Sequence, residues 1–418
     1  MPRIFLGNFD FEHDLARAAG GRASPAGDDS VIAGQLVWAS RRSELFWAWL
    51  PVAKPDDFVI APGRVDPHDF AGLTDLGLAP PHFVYPPRDL EALQGVELVP
   101  WGWTSSVVAF GRSNGWSCPS PPLEVVRHVN SRAFRFELER EWNVGLAGAA
   151  MVDSMDKLQA VLLEQESTPR GWLLKANFGM SGREALRGSG TILDEKTRNW
   201  ARKRLAASGP IVFEPIVERI AEAGVQIEIP QIGPPQLVGV TPLLVDRSGV
   251  YRGSHFGCPA SELEWWQPAV ETGIRAAERL QRLGYFGPLG IDAMRYCDAA
   301  GEIRLRPLQD VNARHTMGRL ALGFRRVLPA GWCGAWLHFN RRHLAGRALD
   351  TWLGDIRNSL PAETIAAATS PRTIGSRPVE HQAVIVLVSS PESRRQAEAA
   401  LFGSLAIAID TGDRSITP

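Results

Sequence analysis

The stretch RLRPLQDVNARHTMGR, residues 304–319, alternates polar and apolar side chains in the manner of a β-strand. Because successive side chains of a strand point to opposite faces, one face carries Asp310, Asn312 and Arg314, roughly 7 Å from one to the next. Carboxylate and amide oxygens are ligands for Mg²⁺, and a planar guanidinium suits phosphate oxygens. Taken alone, the pattern is equally typical of a solvated strand face.

A second acid lies upstream, where PLGIDAM (288–294) places Asp292 inside an apolar run. A carboxylate in such a run is costly to bury unless it is paired or binds a metal. Two acids at the ends of neighbouring strands therefore favour a metal site over a solvated face. The same alternation assigns Gln309 and His315 to the opposite face of the strand, away from Asp310.

A glycine-rich segment, KANFGMSGREALRGSG (175–190), follows the predicted strand GWLLK (171–175). Glycine lets backbone N–H groups approach phosphate oxygens, and Lys175 supplies a positive charge where the strand ends. The segment is not a Walker A loop, because the G-x-x-x-x-G-K-[ST] pattern is absent. For this segment alone, a surface loop without a ligand is the alternative.

The segment VFEPIVERIAEAGVQIEI (212–229) contains a third polar pattern. Glu214 interrupts an apolar strand, and Pro215 ends regular strand pairing because it has no N–H. Backbone groups near Val217 are then left free, an arrangement that suits the edge of an adenine ring. Glu222 follows a turn, at a position from which a ribose hydroxyl could be reached. A corner with exposed acids explains this segment equally well when it is considered alone.

The composition narrows the class of protein. The chain has 418 residues and a net charge of −1, which argues against a phosphate-driven nucleic-acid binder and an electrostatic membrane anchor. The start has no signal-peptide pattern, and no apolar run is long enough to span a bilayer. The cysteines are far apart and form no CxxC pair, which predicts a cytoplasmic protein without a disulfide framework or a cysteine zinc site. They are Cys118, Cys258, Cys297 and Cys333.

Short apolar runs separated by Pro, Gly and Asp predict strands of an N-terminal α/β layer. These runs are 3–9, 34–40, 57–62 and 96–103. SCPSPPLE (117–124) predicts a linker, because its prolines cannot lie in a helix interior. Beyond it, the periodicity predicts helices over 124–142, 153–167 and 269–284, and strands over 211–217, 225–229, 236–253 and 383–390.

Four motifs follow one another along the chain: the lysine with its glycine-rich segment, the E-P-x-V strand, the helix leading to G-x-D and the D-x-N-x-R strand. In this order they resemble the ATP-grasp superfamily over roughly residues 125–340. The resemblance implies an ATP-grasp fold, of mixed α+β and α/β class, in which two α+β subdomains clasp ATP behind an N-terminal α/β domain. The implied divisions are 1–123 for the N-terminal domain, 124–208 for the first subdomain with its lid loop, 209–345 for the second subdomain and 346–418 for a C-terminal extension.

The resemblance also implies site residues. Those expected to contact ATP are Arg132, Lys175, Gly179, Ser181, Gly182, Glu214, Val217 and Glu222, with Glu214 at the adenine amine and Glu222 at the ribose. Those expected to bind Mg²⁺, or Mn²⁺ as an alternative, are Asp292, Asp310 and Asn312. Lys175 and Arg314 are the expected catalytic residues. The family usually has Glu where Asp310 stands, and the hairpin 297–302 lengthens the spacing from Asp292, so one or two metal ions remain open.

ATP-grasp enzymes typically phosphorylate a carboxylate and let an amine attack the acyl phosphate. The resemblance therefore implies an ADP-forming ligase that joins a small-molecule carboxylate to an amine, with no nucleic-acid or membrane partner; a homodimer stays open. The first alternative is a phosphotransferase that makes a stable phosphate ester. The second is a nucleotide-binding module without catalysis, which the full polar set disfavours because a pure binder needs no phosphoryl clamp.

Overall fold

The computed structural model describes residues 1–19, 42–164, 170–179 and 184–409. The predicted strand 34–40 and the expected lid residues Ser181 and Gly182 lie outside the described residues. Within those ranges, no helix has both the length and the apolar character that a membrane span requires.

The N-terminal part contains a parallel four-stranded sheet in the order β3-β2-β1-β4. Its strands are β1 (Arg3–Leu6), β2 (Phe58–Ile60), β3 (His82–Val84) and β4 (Glu97–Pro100). Three of them fall within predicted strands; β3 is a three-residue strand that the sequence pattern did not indicate. The sheet confirms the predicted α/β layer, and Ile4 at its centre pairs with both Phe58 and Leu98.

A second, antiparallel sheet has the order β5-β8-β6-β7. Its strands are β5 (Ala150–Val152), β6 (Trp172–Lys175), β7 (Ala185–Gly188) and β8 (Ile211–Pro215). The sheet shares a small apolar core with two helices, Met155–Glu164 and Glu195–Ser208. Because β8 pairs with β5 and β6, the change of sheet falls at residues 216–217, after the predicted division at 208/209.

The largest sheet is antiparallel, with the order β13-β12-β9-β10-β11-β14-β18-β15. Its strands are β9 (Glu218–Ile229), β10 (Gln236–Val245), β11 (Tyr251–Phe256), β12 (Gly287–Cys297), β13 (Ile303–Asn312), β14 (Cys333–Asn340), β15 (Ile365–Ala368) and β18 (His381–Val388). β16 (Thr373–Ile374) and β17 (Arg377–Pro378) pair only with each other. Since β15 and β18 extend this sheet from β14, the tail after residue 345 hydrogen bonds directly to the preceding part of the chain.

The α-helices are α1 (Phe11–Ala19), α2 (Ala71–Asp75), α3 (Ser105–Ser113), α4 (Leu123–Val129), α5 (Arg132–Trp142), α6 (Met155–Glu164), α7 (Glu195–Ser208), α8 (Ala260–Leu263), α9 (Gln267–Arg282), α10 (Met317–Ala321), α11 (Leu349–Ile356) and α12 (Pro391–Ser404). Short 3-10 helices cover Ser43–Trp49, Pro67–Phe70, Glu264–Trp266, Leu322–Val327, Arg341–Leu344 and Arg357–Ser359.

Two helices illustrate how local sequence sets the fold. The segment 124–142, predicted as one helix, is divided at Asn130–Ser131 into α4 and α5, because the Ser131 hydroxyl accepts the Phe134 N–H (3.1 Å) and begins a new helix. At the end of α9, Gly284 has a φ of +96°, and the N–H of Tyr285 donates to the Leu280 carbonyl. Gly284 therefore forms a left-handed C-terminal cap of α9, and the chain turns there into β12.

Candidate functional site

Five charged side chains form what we call the buried ion network: Arg135, Glu139, Lys175, Glu214 and Arg306. One Glu214 oxygen accepts hydrogen bonds from Arg306 (2.8 Å) and Arg135 (3.0 Å), and the other is 2.7 Å from the Lys175 ammonium. Glu139 accepts from Arg306 at 2.6 and 3.1 Å and also pairs with Arg135. The network therefore joins α5, the second sheet and the largest sheet.

The buried ion network holds three cations and two anions, so one positive charge is left over. Lys175 is the network residue nearest to solvent: its side chain is 19% exposed, against 5% or less for the other four. Although burial acts in the opposite direction, the charges of Arg306, Lys175 and Arg135 hold the pKa of Glu214 well below its ordinary value. Burial and the neighbouring arginines lower the pKa of Lys175. An anion next to Lys175 would balance the surplus charge.

Both carboxylate oxygens of Glu214 contact these cations. The sequence prediction instead has this carboxylate accept a hydrogen bond from an adenine amine. Val217 lies in the two-residue connection between β8 and β9, where strand pairing is interrupted as Pro215 indicated. Glu222 accepts a hydrogen bond from Gln309 (3.0 Å) and lies 3.8 Å from Arg219. The nucleotide roles of these residues stay predictions.

Arg132 fixes the start of the glycine-rich segment. Its guanidinium donates to the carbonyls of Ala176 (2.6 Å) and Gly179 (3.1 Å) and lies 3.7 Å from the Asp310 carboxylate. Asn177 makes a second hydrogen bond between this segment and α5, because its side-chain oxygen accepts from the N–H of Ala133 (3.0 Å) at the beginning of that helix. Asn177 was not singled out from the sequence, since an asparagine in a loop carries no distinctive pattern. Arg132 thus brings the segment 176–179 next to Asp310.

We call Glu222, Asp292 and Asp310 the acid cluster. Asp292 and Asp310 are direct partners across β12 and β13, and the Asn312 amide donates to Asp292 (3.2 Å). Burial, and then the charges of Asp310 and Glu222, raise the pKa of Asp292 to about 7. Burial is the largest cause of this rise, and repulsion from the two neighbouring acids adds to it. A divalent cation would relieve that repulsion, so the donor set of two carboxylates and an amide fits Mg²⁺.

Cation sites built from three or more acidic, histidine or cysteine side chains are absent from the part of the chain that the structure describes. Magnesium sites commonly use one or two carboxylates and leave the remaining positions to water and phosphate oxygens. The pair Asp292 and Asp310 meets that requirement. In this structure the Asn312 oxygen accepts a hydrogen bond from Arg314 (2.9 Å), so Asn312 would have to turn its amide to offer that oxygen to a metal.

Arg314 is held in one orientation from several sides. Its guanidinium donates to Glu12 of α1 (2.6 Å), to Asn312 and to the His315 carbonyl (2.8 Å), and it lies over the ring of Trp101 at 5.2 Å. Sequence reasoning missed Glu12 and Trp101, because no local pattern connects them with a residue so distant in the chain. The N-terminal domain therefore contributes directly to the site.

The prediction that Gln309 lies on the opposite face from Asp310 was wrong, because the strand register changes beside it. Asp292 faces Asp310, yet Met294 faces Arg306, so β13 has extra residues in this interval. Leu308 is fully buried in the core, while Gln309 points toward Glu222. His315 lies beyond the end of β13, so its predicted strand face is not tested; its ring packs against Trp49, and burial lowers its pKa to about 3.

Comparisons with known proteins bear on the fold more than on the reaction. No family model matches the chain. An 80-residue stretch, 19% of this chain, is 39% identical to the butirosin acyl-carrier protein–L-glutamate ligase of Niallia circulans. That stretch spans 18% of the length of the relative, so the likeness concerns a small part of either protein.

Solved structures resemble nearly the whole chain. N5-carboxyaminoimidazole synthetase from Staphylococcus aureus, complexed with ADP, matches with a TM-score of 0.53 over 97% of both chains at 10% identity. The biotin carboxylase domain dimer of 2-oxoglutarate carboxylase from Hydrogenobacter thermophilus, in complex with MgADP, ADP and bicarbonate, matches with a TM-score of 0.50 over 88% of both chains at 11% identity. At such identities the likeness shows a shared fold.

Proposed function

We propose that this chain, which has the ATP-grasp fold, is an ATP- and Mg²⁺-dependent ligase that joins a carboxylate to an amine and releases ADP. The observation that carries the proposal is that the surplus positive charge of the buried ion network lies next to the carboxylates of the acid cluster. Lys175 is the surplus cation of the buried ion network, and in the acid cluster the buried Asp292 carboxylate faces Asp310 and feels the charge of Glu222. Arg132 lies 3.7 Å from Asp310 and hydrogen bonds to the backbone that follows Lys175, so the two regions are adjacent.

A metal-bound nucleotide triphosphate fits both regions, because its phosphates suit Lys175 and Arg132 while its metal suits Asp292 and Asp310. Mg²⁺ would be held by Asp292, Asp310 and Asn312 and would neutralise charge on the terminal phosphates. We assign the backbone of Gly179, Ser181 and Gly182 to the phosphates. The backbone of Val217 and the Glu214 carboxylate are assigned to the adenine, and Glu222 to the ribose.

In the first chemical step, an oxygen of the substrate carboxylate attacks the γ-phosphorus, the bond to the β-phosphate oxygen breaks, and ADP leaves. Arg314 is the residue that stabilises the transferring phosphoryl group. Its planar guanidinium is already oriented by Glu12, Asn312 and Trp101, so little reorganisation is needed when charge develops. In the second step the amine nitrogen attacks the acyl carbon, loses a proton, and phosphate departs with the former carboxylate oxygen.

A carrier-bound acceptor is a second candidate, favoured by the 39% identity to a ligase whose name joins L-glutamate to an acyl-carrier protein. The activation step would be the same, and a nucleophile on a carrier protein would replace the small-molecule amine. L-Glutamate is for the same reason the first carboxylate to test. The proposal includes a cytoplasmic location, since all four cysteines are free thiols, and a homodimer, which one of the similar structures forms.

The test is a screen for ADP release over pooled carboxylates and amines, with mass spectrometry of the products. The proposal expects ADP formation that requires both a carboxylate and an acceptor, together with a condensed product lighter by one water than the sum of its precursors. A phosphorylated product without condensation would establish the phosphotransferase instead. Binding of ATP with no ADP release under any pool would leave the non-catalytic module.

A further inference from the structure

The exposed face of α7 carries Lys196, Arg198, Arg202 and Lys203, which we call the basic face of α7. All four side chains are exposed. None of them forms an ion pair with any residue in the described ranges. The acids of this helix are confined to its start, where Asp194 caps the N–H of Thr197. In a chain whose net charge is −1, this is a strong local concentration of positive charge.

The C-terminal end of α7, which follows the four cations in the chain, borders the site. The last residues of the helix, Ala207 and Ser208, line a small cavity together with Phe178, Gly179 and Glu12. Gly179 accepts a hydrogen bond from Arg132, and Glu12 holds Arg314. A partner that covers α7 as far as its C-terminal end would therefore reach the residues that touch Arg132 and Arg314.

We propose that the basic face of α7 is the docking surface for an acidic carrier protein that delivers the acceptor group, an inference that rests on the proposed ligase function. Unpaired, exposed cations gain most from a partner of opposite charge, and such surfaces accelerate association and select partners. The four cations lie within about 10 Å along the helix axis, because a helix rises about 1.5 Å per residue. That length fits one acidic helix of a protein better than an extended phosphate backbone.

The probe is the butirosin acyl-carrier protein, the carrier in the name of the relative, with binding measured by calorimetry against the 418-residue chain. The test variant is the double charge reversal R198E/R202E. The matched control is R279E/R282E, which reverses the charge of two exposed arginines on α9, a helix that packs on the largest sheet. Thermal unfolding of each variant checks that it remains folded, and turnover of free small-molecule acceptors checks that the site is intact.

We expect the wild-type Kd to rise at least about tenfold between about 50 and about 250 mM salt, because exposed charges are screened. R198E/R202E should weaken binding at low salt by about tenfold or more, while R279E/R282E should stay within about twofold. Absence of wild-type binding, an equal loss in the control, or tighter binding of a structured RNA of similar charge would overturn the inference.

The inference and the proposed function fail in different ways. Turnover of free acceptors without any carrier binding would refute the docking surface and leave the ligase standing. Carrier binding that depends on α7, with no ADP release from any pool, would refute the ligase and leave the docking surface standing.

Discussion

Strand β13 passes through both charged regions of the site, since Arg306 belongs to the buried ion network and Asp310 to the acid cluster. In the network every carboxylate oxygen of Glu139 and Glu214 has a cationic partner. In the acid cluster Asp292 faces Asp310, and its pKa is raised to about 7. In the network the buried carboxylates are paired with cations, whereas in the acid cluster two carboxylates face each other, although both regions share one strand.

The difference separates a structural arrangement from a ligand-binding one. In the network, paired charges hold the three elements together, and only the surplus charge at Lys175 is left for a ligand anion to balance. Charges that repel one another persist where a ligand compensates them, because an uncompensated buried carboxylate destabilises the fold. Removing a charge should therefore lower stability in the network and lower activity in the acid cluster.

The largest effect is expected from Arg306→Met, which removes three buried hydrogen bonds to Glu139 and Glu214 and leaves Oε1 of Glu139 without its cationic partner. The free energy of unfolding should fall by about 3–5 kcal/mol in chemical denaturation, the usual cost of breaking a buried ion pair. The matched control is Arg304→Met on the same strand, whose partners Asp298 and Glu302 are at the surface. Equal losses from both variants would show that the network is not the stabilising element.

Asp292→Asn should give the converse result. Without Mg²⁺ its free energy of unfolding should equal or exceed that of the wild type, because one of two facing negative charges is removed. ADP release should fall by about 10²–10³-fold, the range found when one preorganised charge-stabilising group is lost. Steady-state ADP assays and denaturant titrations on the same preparation decide the matter, and a stability loss with retained turnover would contradict the assignment.

Lys175→Met tests the surplus cation. Its removal leaves Glu214 paired with two arginines, so the loss of stability should be smaller than for Arg306→Met. The Kd for ATP should rise by about 10–100-fold, which corresponds to about 1.4–2.7 kcal/mol. Nucleotide binding measured by calorimetry provides the check; an unchanged Kd would place the phosphates elsewhere.

The smallest effect is expected from Gln309→Ala, at the register change between the two regions. Since Gln309 donates to Glu222, its loss should raise the KM for ATP by about 2–5-fold, with kcat nearly unchanged, as for one hydrogen bond of about 0.5–1 kcal/mol. Initial-rate kinetics over a range of ATP concentrations measure this. An unaltered KM would mean that Glu222 needs no such support at the nucleotide.

The sequence predicted that Asp292 and Asp310 lie together, because alternation on β13 and the helix–glycine–strand order before Asp292 are local patterns; it did not place Glu222 beside them. It did not reveal that Glu214 is paired, since Arg306 lies 92 residues away from it in the chain. Arg314 and Glu12 are separated by 302 residues, and Glu12 lies on α1 whereas Arg314 follows β13, so no periodicity connects them. The face of Gln309 was misassigned because strict alternation does not anticipate a register change at Pro307.

The central claim, that a carboxylate is activated by phosphorylation at this site, is tested most directly by isotope transfer. Carboxylates labelled with ¹⁸O, L-glutamate first, are incubated with ATP, Mg²⁺ and the acceptors, and the released phosphate is examined by mass spectrometry. The account predicts that the phosphate gains one labelled oxygen per ADP formed, and that Asp292→Asn abolishes both signals together. Release of unlabelled phosphate alongside a condensed product would contradict it.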